Sequence, residues 1–459
     1  MDFLAALAGA IGPERVSTGD AVPTRHHADW SGAQPVPPLA LVRPRSTQEV
    51  SAVLRLCSEY RVPVVPQGGL TGLAGAAVPS RDAIALSLDR MNAIESVDPV
   101  ASSITVQAGA TLLAVQEAAA ANGLQFGVDL GARGSCQIGG NLSTNAGGNG
   151  VLQFGMMREQ TLGLEVVLAD GSVLPMLRPM IKNNTGYDLK QFFIGAEGTL
   201  GVITRAVLRL HPAPRARATA LVALADFDAA LALLGRLQAR FPRAVAAFEL
   251  MWRDFVETSL KWQKLREPFA AVHAFAALVE VVGDDEAALA AALEEALADA
   301  LDDGEASDAV VAHSQAQAQA FWKIREATAE LPVHMHPPIN FDVSLPMAEI
   351  GRFAEACRSL FDARWPGHLS LFFGHVGDSN LHISTDGRSI CGELAQIERL
   401  VYERVAAHGG SVSAEHGIGL HKKAHLSASR TPAELAAMRA IKQALDPQLL
   451  LNPGKVFDL

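Results

Sequence analysis

Cysteine is scarce in this chain: four residues in 459, at Cys57, Cys136, Cys357 and Cys391, far apart and with no CxxC pair. That argues against a disulfide framework and reads as reduced thiols in the cytosol. Tyrosine is scarcer still at three, and no basic run interrupts a formal net charge of −11, so nucleic acid is a poor partner. No apolar stretch approaches the ~20 residues a bilayer span needs. The apolar start Met1-Asp2-Phe3-Leu4-Ala5-Ala6-Leu7 meets no basic residue before Arg15. It lacks the positive region of a secretory signal and reads as a short amphipathic helix. With 49% hydrophobic and 19% charged residues and no like-charge block, a disordered chain is excluded. The expectation is a soluble cytoplasmic protein with no transmembrane segment.

At roughly 100–200 residues per domain the length allows two to four domains, each with its own core. From 39 to 212 short Val/Ile/Leu runs alternate with helical stretches and much glycine. Residues 39–42 and 62–65 read as strands, the second closing at Pro66, and 47–60 as a helix with Ser46 as its N-cap. The strand at 206–210 runs into His211-Pro212-Ala213-Pro214, a natural stop and domain boundary. From 216 to 420 strand and helix alternate: 218–223 and 226–240, 275–282 and 285–301, 340–345 and 348–361. The Ala/Glu/Asp-rich stretch 285–301 has Leu and Ala at helical spacing, so it is read as a surface helix and not an acidic tail. No repeat underlies these units, which points to an α+β sheet domain. A helical tail follows from 424.

Two glycine-rich loops carry the first chemical signal. Pro66-Gln67-Gly68-Gly69-Leu70-Thr71-Gly72-Leu73 follows a strand directly. Its glycines let backbone N–H groups converge on an anion, although it is neither a Walker loop nor a GxGxxG fingerprint, and taken alone a plain turn explains it as well. In the second, Gly131-Ala132-Arg133-Gly134-Ser135-Cys136-Gln137-Ile138-Gly139-Gly140-Asn141 continues as Leu142-Ser143-Thr144-Asn145-Ala146-Gly147-Gly148. A flexible linker explains its glycine but not the ordered Ser, Thr and Asn. Together the loops suit a diphosphate and a polar ring, hence a nucleotide-type cofactor.

These loops, with Phe193-Ile194-Gly195-Ala196-Glu197-Gly198-Thr199-Leu200-Gly201-Val202-Ile203-Thr204, resemble the FAD-binding domain of the vanillyl-alcohol oxidase superfamily. The later motifs resemble its D-2-hydroxy-acid dehydrogenase branch, and the match runs over nearly the whole chain. The resemblance implies an α+β protein: a two-part FAD-binding domain (1–212), an α+β substrate or cap domain carrying the metal site (213–420), and a helical C-terminal segment returning to the FAD domain (421–459). It implies FAD contacts from Pro66, Gly68, Gly69, Thr71, Gly72, Gly134, Ser135, Gly139, Gly140, Asn141, Thr144, Asn145, Glu197, Gly198, Val202 and Asn452. Members with covalent flavin often carry His beside the paired glycines, and the dehydrogenase branch often carries Asn. Leu70 stands there and offers no nucleophile, so the FAD is expected to be non-covalent.

Gly374-His375-Val376-Gly377-Asp378-Ser379-Asn380-Leu381-His382 is the most informative nonapeptide. Residues seven apart on a straight strand face opposite ways, but Gly-Asp-Ser-Asn is strong turn chemistry that lets the chain reverse and bring both imidazoles together. Further on, Ser413-Ala414-Glu415-His416-Gly417-Ile418-Gly419 adds a carboxylate and a third imidazole. Two His and one Glu form a usual catalytic set for a divalent ion; on spacing alone, separate structural histidines explain the pattern as well. The resemblance implies His375, His382 and Glu415 as metal ligands and His416 as the catalytic base. Zinc is the expected ion, with manganese or cobalt also suited.

Lys182-Asn183-Asn184-Thr185-Gly186-Tyr187-Asp188-Leu189-Lys190-Gln191 and Trp322-Lys323-Ile324-Arg325-Glu326 resemble the D-2-hydroxyglutarate dehydrogenase form. That implies oxidation of D-2-hydroxyglutarate to 2-oxoglutarate, with Arg325 on the distal carboxylate; its alternative is a surface Arg paired with Glu326 or Glu330. Asn340 stands where those enzymes tend to carry Lys, and Ser384 where they tend to carry Asn. With Lys455 these complete the expected substrate contacts, and the missing charge keeps D-lactate or glycolate open. His334 and His336, flanked by prolines, read as ordinary loop residues. The implied partners are a small D-2-hydroxy acid and an acceptor such as electron-transfer flavoprotein or a quinone, with a homodimer as the assembly. From other classes, a non-catalytic flavin-binding subunit would be expected to lose metal ligands, and a metal-dependent hydrolase would leave the glycine loops unexplained.

Overall fold

A computed structural model describes residues 2–459, which fall into two compact units. One comprises Met1–Gly148, Phe154–Ala213 and Glu415–Leu459, the other Asn149–Gln153 and Pro214–Ala414. The C-terminal stretch of the first unit thus begins at Glu415, ahead of the expected 421, and takes Glu415 and His416 with it. No described helix is long and apolar enough to cross a membrane.

The first unit holds two main sheets. In one, Ala40–Val42 and Val64–Gln67 flank Ile84–Ser87 in parallel, and Val16–Ser17 adds an antiparallel edge. The helix Thr47–Tyr60 makes the crossover, and Ser46 Oγ accepts from Glu49 N–H at 3.2 Å. The strand does not close at Pro66 but continues to Gln67. Gln67 O accepts from Leu88 N–H while Val64 faces the C-terminal segment. By alternation Pro66 faces away from Ile84–Ser87, where a missing N–H costs no ladder bond. The second sheet is antiparallel, in the order Ile94–Asp98, Ser103–Gln107, Val202–Arg209, Thr161–Val167, Val173–Met176. One apolar core containing Val50, Leu54, Ile84, Val106, Leu142 and Leu208 joins the two.

The returning segment locks onto this unit. Helix Pro432–Leu445 starts in a capping box of Thr431 and Glu434. Its buried Lys442 ammonium donates to Thr199 O (2.7 Å), Leu451 O (2.8 Å) and the Asp446 carboxylate. The chain then runs beside the first sheet: Val64 N–H donates to Leu450 O and Asn452 N–H to Val64 O, both at 2.8 Å.

The second unit is a seven-stranded antiparallel sheet, ordered Asp308–Val311, Ala216–Leu224, Phe275–Gly283, Val245–Trp252, Ser370–Gly374, Asn380–Asp386, Pro338–Ser344. Helices Phe227–Arg240 and Glu286–Asp302 are N-capped by Asp226 and Asp285 and bury Leu233, Leu237, Leu293 and Leu297. A core of Leu221, Met251, Phe255, Leu278, Phe321 and Phe373 fills in beneath helices Arg253–Gln263 and Gln315–Glu326. The acidic stretch expected as a surface helix is Glu286–Asp302, with only its apolar stripe buried.

Candidate active site

In the first unit the two glycine loops lie against each other. A Cβ on Gly69 would sit 2.1 Å from Ser135 O, so only glycine fits. One on Gly68 would sit 3.5 Å from Gly140 Cα and 3.6 Å from Gln137 Oε1. The N–H groups of Gly68, Gly69 and Gly72 meet no protein acceptor among the described residues. Gln137 Oε1 is buried there without a donor. A buried oxygen without a donor is costly, and the half-buried glycine amides beside it stand open. A ligand with anionic oxygens for the amides and an N–H or O–H for Gln137 satisfies both, and the diphosphate, hydroxyls and ring of FAD are such a ligand.

Other expected cofactor residues have protein partners. Gly139 N–H donates to Ala108 O (2.7 Å) and Ser135 N–H to Ala132 O (2.8 Å). Thr144 Oγ1 donates to Gly140 O at 3.2 Å, and Asn145 Oδ1 accepts from Arg158 N–H at 2.9 Å. The buried Glu197 carboxylate accepts from Ile418 N–H (2.7 Å) and Gly419 N–H (2.8 Å). Burial pushes its carboxyl up, opposed by those two amides. Glu197 therefore fixes the loop that follows His416. The loop needs its glycine: a Cβ on Gly419, at φ +50°, would lie 2.1 Å from Ala74 O. Asn452 donates to Glu197 O at 2.7 Å and Ala76 O at 3.0 Å, and its Oδ1 is buried without a donor. Lys455 Nζ donates to Val78 O at 2.8 Å. Glu415 Oε1 accepts from Gly148 N–H at 3.1 Å.

In the second unit the chain reverses between Ser370–Gly374 and Asn380–Asp386 through the turn Val376–Asp378, with Ser379 at φ +74°. A Cβ on Gly374 would be 2.5 Å from Asn380 O, so the hairpin closes only on glycine. The reversal places the His375 and His382 rings 5.7 Å apart. The fully buried Asp342 pairs with His382 across strands. Its Oδ1 lies 3.9 Å from His382 Nδ1, and the two residues offer ligand atoms within reach of one ion. Imidazole nitrogens beside a carboxylate are donors a divalent transition metal favours.

Arg325 pairs with neither Glu326 nor Glu330. Its guanidinium bonds the buried Glu249, lies 4.9 Å over the Phe373 ring, and brings Nη2 within 3.1 Å of His375 Nε2. Burial alone would raise Glu249; Arg325 and His375 beside it hold its carboxyl below the usual range. His375 Nε2 is also 3.2 Å from Glu249 Oε1. His375 Nε2 thus lies between a guanidinium, which can only donate, and a carboxylate, which can only accept. Asn340 and Ser384 face each other across strands, Ser384 Oγ donating to Asn340 Oδ1 at 2.8 Å. His334 stacks on Trp262 at 4.6 Å, and His336 Nε2 lies 2.9 Å from Val333 O.

Glu249, Asp342 and Gln137 were not among the expected site residues. The first two are lone carboxylates inside apolar strands, a pattern that by itself signals a buried, paired charge.

Residues 213–456 match the family of FAD linked oxidases, C-terminal domain, and residues 38–176 match the FAD binding domain family. The chain belongs to the FAD-linked oxidases and is an FAD-dependent oxidoreductase. Among its relatives, D-2-hydroxyglutarate dehydrogenase of Xanthomonas citri pv. viticola is 38% identical over 98% of this chain and 96% of that protein. The protein of the same name from Stutzerimonas stutzeri is 35% identical over 97% of each. The mitochondrial D-2-hydroxyglutarate dehydrogenase of Danio rerio is 37% identical over 98% of this chain and 84% of that one. In fold the chain resembles p-cresol methylhydroxylase, with a TM-score of 0.76 at 16% identity over 99% of this chain and 96% of that one. That likeness identifies the vanillyl-alcohol oxidase type of α+β fold.

Proposed function

We propose that the protein oxidises D-2-hydroxyglutarate to 2-oxoglutarate, with non-covalent FAD as hydride acceptor and a divalent ion, zinc first, held by His375, His382 and Glu415. The observation that carries this reading is the hairpin that pairs His375 with His382 and sets Arg325 beside them. The names of the relatives support the choice of acid. FAD supplies a hydride acceptor at N5, and a divalent ion polarises a bound hydroxyl and carboxylate. Oxidation removes a hydride from C2 and a proton from the hydroxyl. His416 takes that proton on an imidazole nitrogen, held by the loop that Glu197 anchors; such general-base help is worth ~10²–10⁴ in rate. Arg325 and Lys455 provide positive charge for the distal carboxylate, the first through a planar fork suited to it. Asn340 and Ser384 add hydrogen-bonding capacity without charge. The two electrons leave for an acceptor such as electron-transfer flavoprotein or a quinone, in the cytoplasm, from a homodimer.

The test is anaerobic bleaching of the flavin absorbance with D-2-hydroxyglutarate, D-lactate and each L-enantiomer. Rapid bleaching by D-2-hydroxyglutarate is expected, abolished by chelator and slowed at least 100-fold by His416→Ala. Bleaching by D-lactate alone would mean that the neutral Asn340–Ser384 pair, in place of a lysine, sets the specificity. No bleaching by any of them, with FAD and metal bound, would overturn the hydroxy-acid reading.

A further inference from the structure

Gln67, the residue before the paired glycines, is buried, and every polar atom of its side chain is engaged. Its Nε2 donates to His26 O and Ala77 O, both at 3.0 Å. Two carbonyl acceptors settle which end of the amide is nitrogen, so Oε1 faces His26 Nδ1 at 2.8 Å as an acceptor. His26 must therefore carry its proton on Nδ1. Its other nitrogen, Nε2, accepts from Arg25 Nε–H at 3.2 Å. Both ring nitrogens are assigned, and the imidazole is neutral. A second proton would have to enter at Nε2, where it would meet the Arg25 N–H.

The same short segment braces the far end of the loop. Asp29 Oδ2 accepts from Ala77 N–H at 3.2 Å, while Ala77 O is held by Gln67. The stretch from Gln67 to Ala77, which contains the glycine loop, is thus held at both ends by residues 26 and 29. Around His26 the charged groups are Arg25, Arg43 and Asp89; Arg43 Nε donates to Asp89 Oδ1 at 3.0 Å and Arg25 Nη2 to Asp89 Oδ2 at 3.2 Å. Asp89 is bound to both arginines.

We propose that His26 is a positioning residue for the flavin: by donating Nδ1–H to Gln67 it holds the first glycine loop in its FAD-binding form. The inference rests on FAD binding and not on the identity of the substrate. Burial lowers His26 below its ordinary value, with Gln67 opposing and Arg25 reinforcing the shift.

The test is the FAD dissociation constant of the full-length holoenzyme at about pH 7.5, read by ultrafiltration and flavin fluorescence. His26→Ala should weaken FAD about tenfold, the value of roughly one buried hydrogen bond. His26→Asn keeps an N–H near the Nδ1 position and should bind FAD within about threefold of the unmodified protein. In a Gln67→Leu background His26→Ala should add less than about twofold, because the two act as one unit. Unchanged FAD affinity in His26→Ala would overturn the inference. So would an Asn variant as weak as the Ala variant, or an Ala effect undiminished in the Gln67→Leu background.

Discussion

Lys455 shows how burial resets a single residue. Its ammonium is buried against Val78 O, and burial pushes it down to about 8, partly offset by Asp29 and Glu197 and reinforced by Lys423. An unfolded lysine keeps its proton to about pH 10.4. Between pH 8 and 10.4 the unfolded chain therefore binds more protons, and folding stability rises with pH. The rise is on the order of 3 kcal/mol at 1.36 kcal/mol per unit. Lys455→Met should lack it, so urea titrations should show the unmodified protein gaining on the variant from about pH 8 to pH 10. A constant difference would sink the assignment. Lys455 could be named from its motif; its partner could not, because Val78 is remote in sequence and contributes only a carbonyl. Glu249 was likewise invisible as a site residue, since nothing local to Phe248-Glu249-Leu250 indicates that Arg325 and His375 face it.

At the scale of elements, the His375–His382 hairpin is the piece best written in the sequence, because turn residues between two strands need no remote partner to be read. Its tightness was not written there. Gly374→Ala would place a methyl 2.5 Å from Asn380 O and force the hairpin apart. We expect a loss of about 1–3 kcal/mol in stability, as for other overpacked sites. Zinc affinity should fall by at least tenfold in calorimetric titration, since metal ligands tolerate little displacement. Unchanged affinity would remove the histidine pair from the metal site. Proline at position 66 looked like a strand end and is not one; its side of the strand carries no Ile84–Ser87 ladder bond, a fact that strand order decides.

At the scale of the whole molecule, the first unit is assembled from three stretches of chain, and the last is held by a buried ion pair. Asp446 accepts from Leu450 N–H (3.0 Å) and Leu451 N–H (2.8 Å) as well as from Lys442. Asp446→Ala would strand that cation and two amides, at a cost of about 3–5 kcal/mol. Calorimetry should show a lowered transition for the FAD-binding unit, and an unaltered thermogram would contradict the clasp. The sequence alone determined the class of this protein: glycine loops, turn residues and strand–helix alternation are local signals, legible wherever a few neighbouring residues carry the chemistry. Only the tertiary structure decided that the first unit reclaims the chain at Glu415, that Glu197 anchors the loop after His416, and that His26 meets Gln67. Each is a contact between residues far apart in sequence. Such contacts depend on how buried groups satisfy one another, and that is settled only when the whole core is packed.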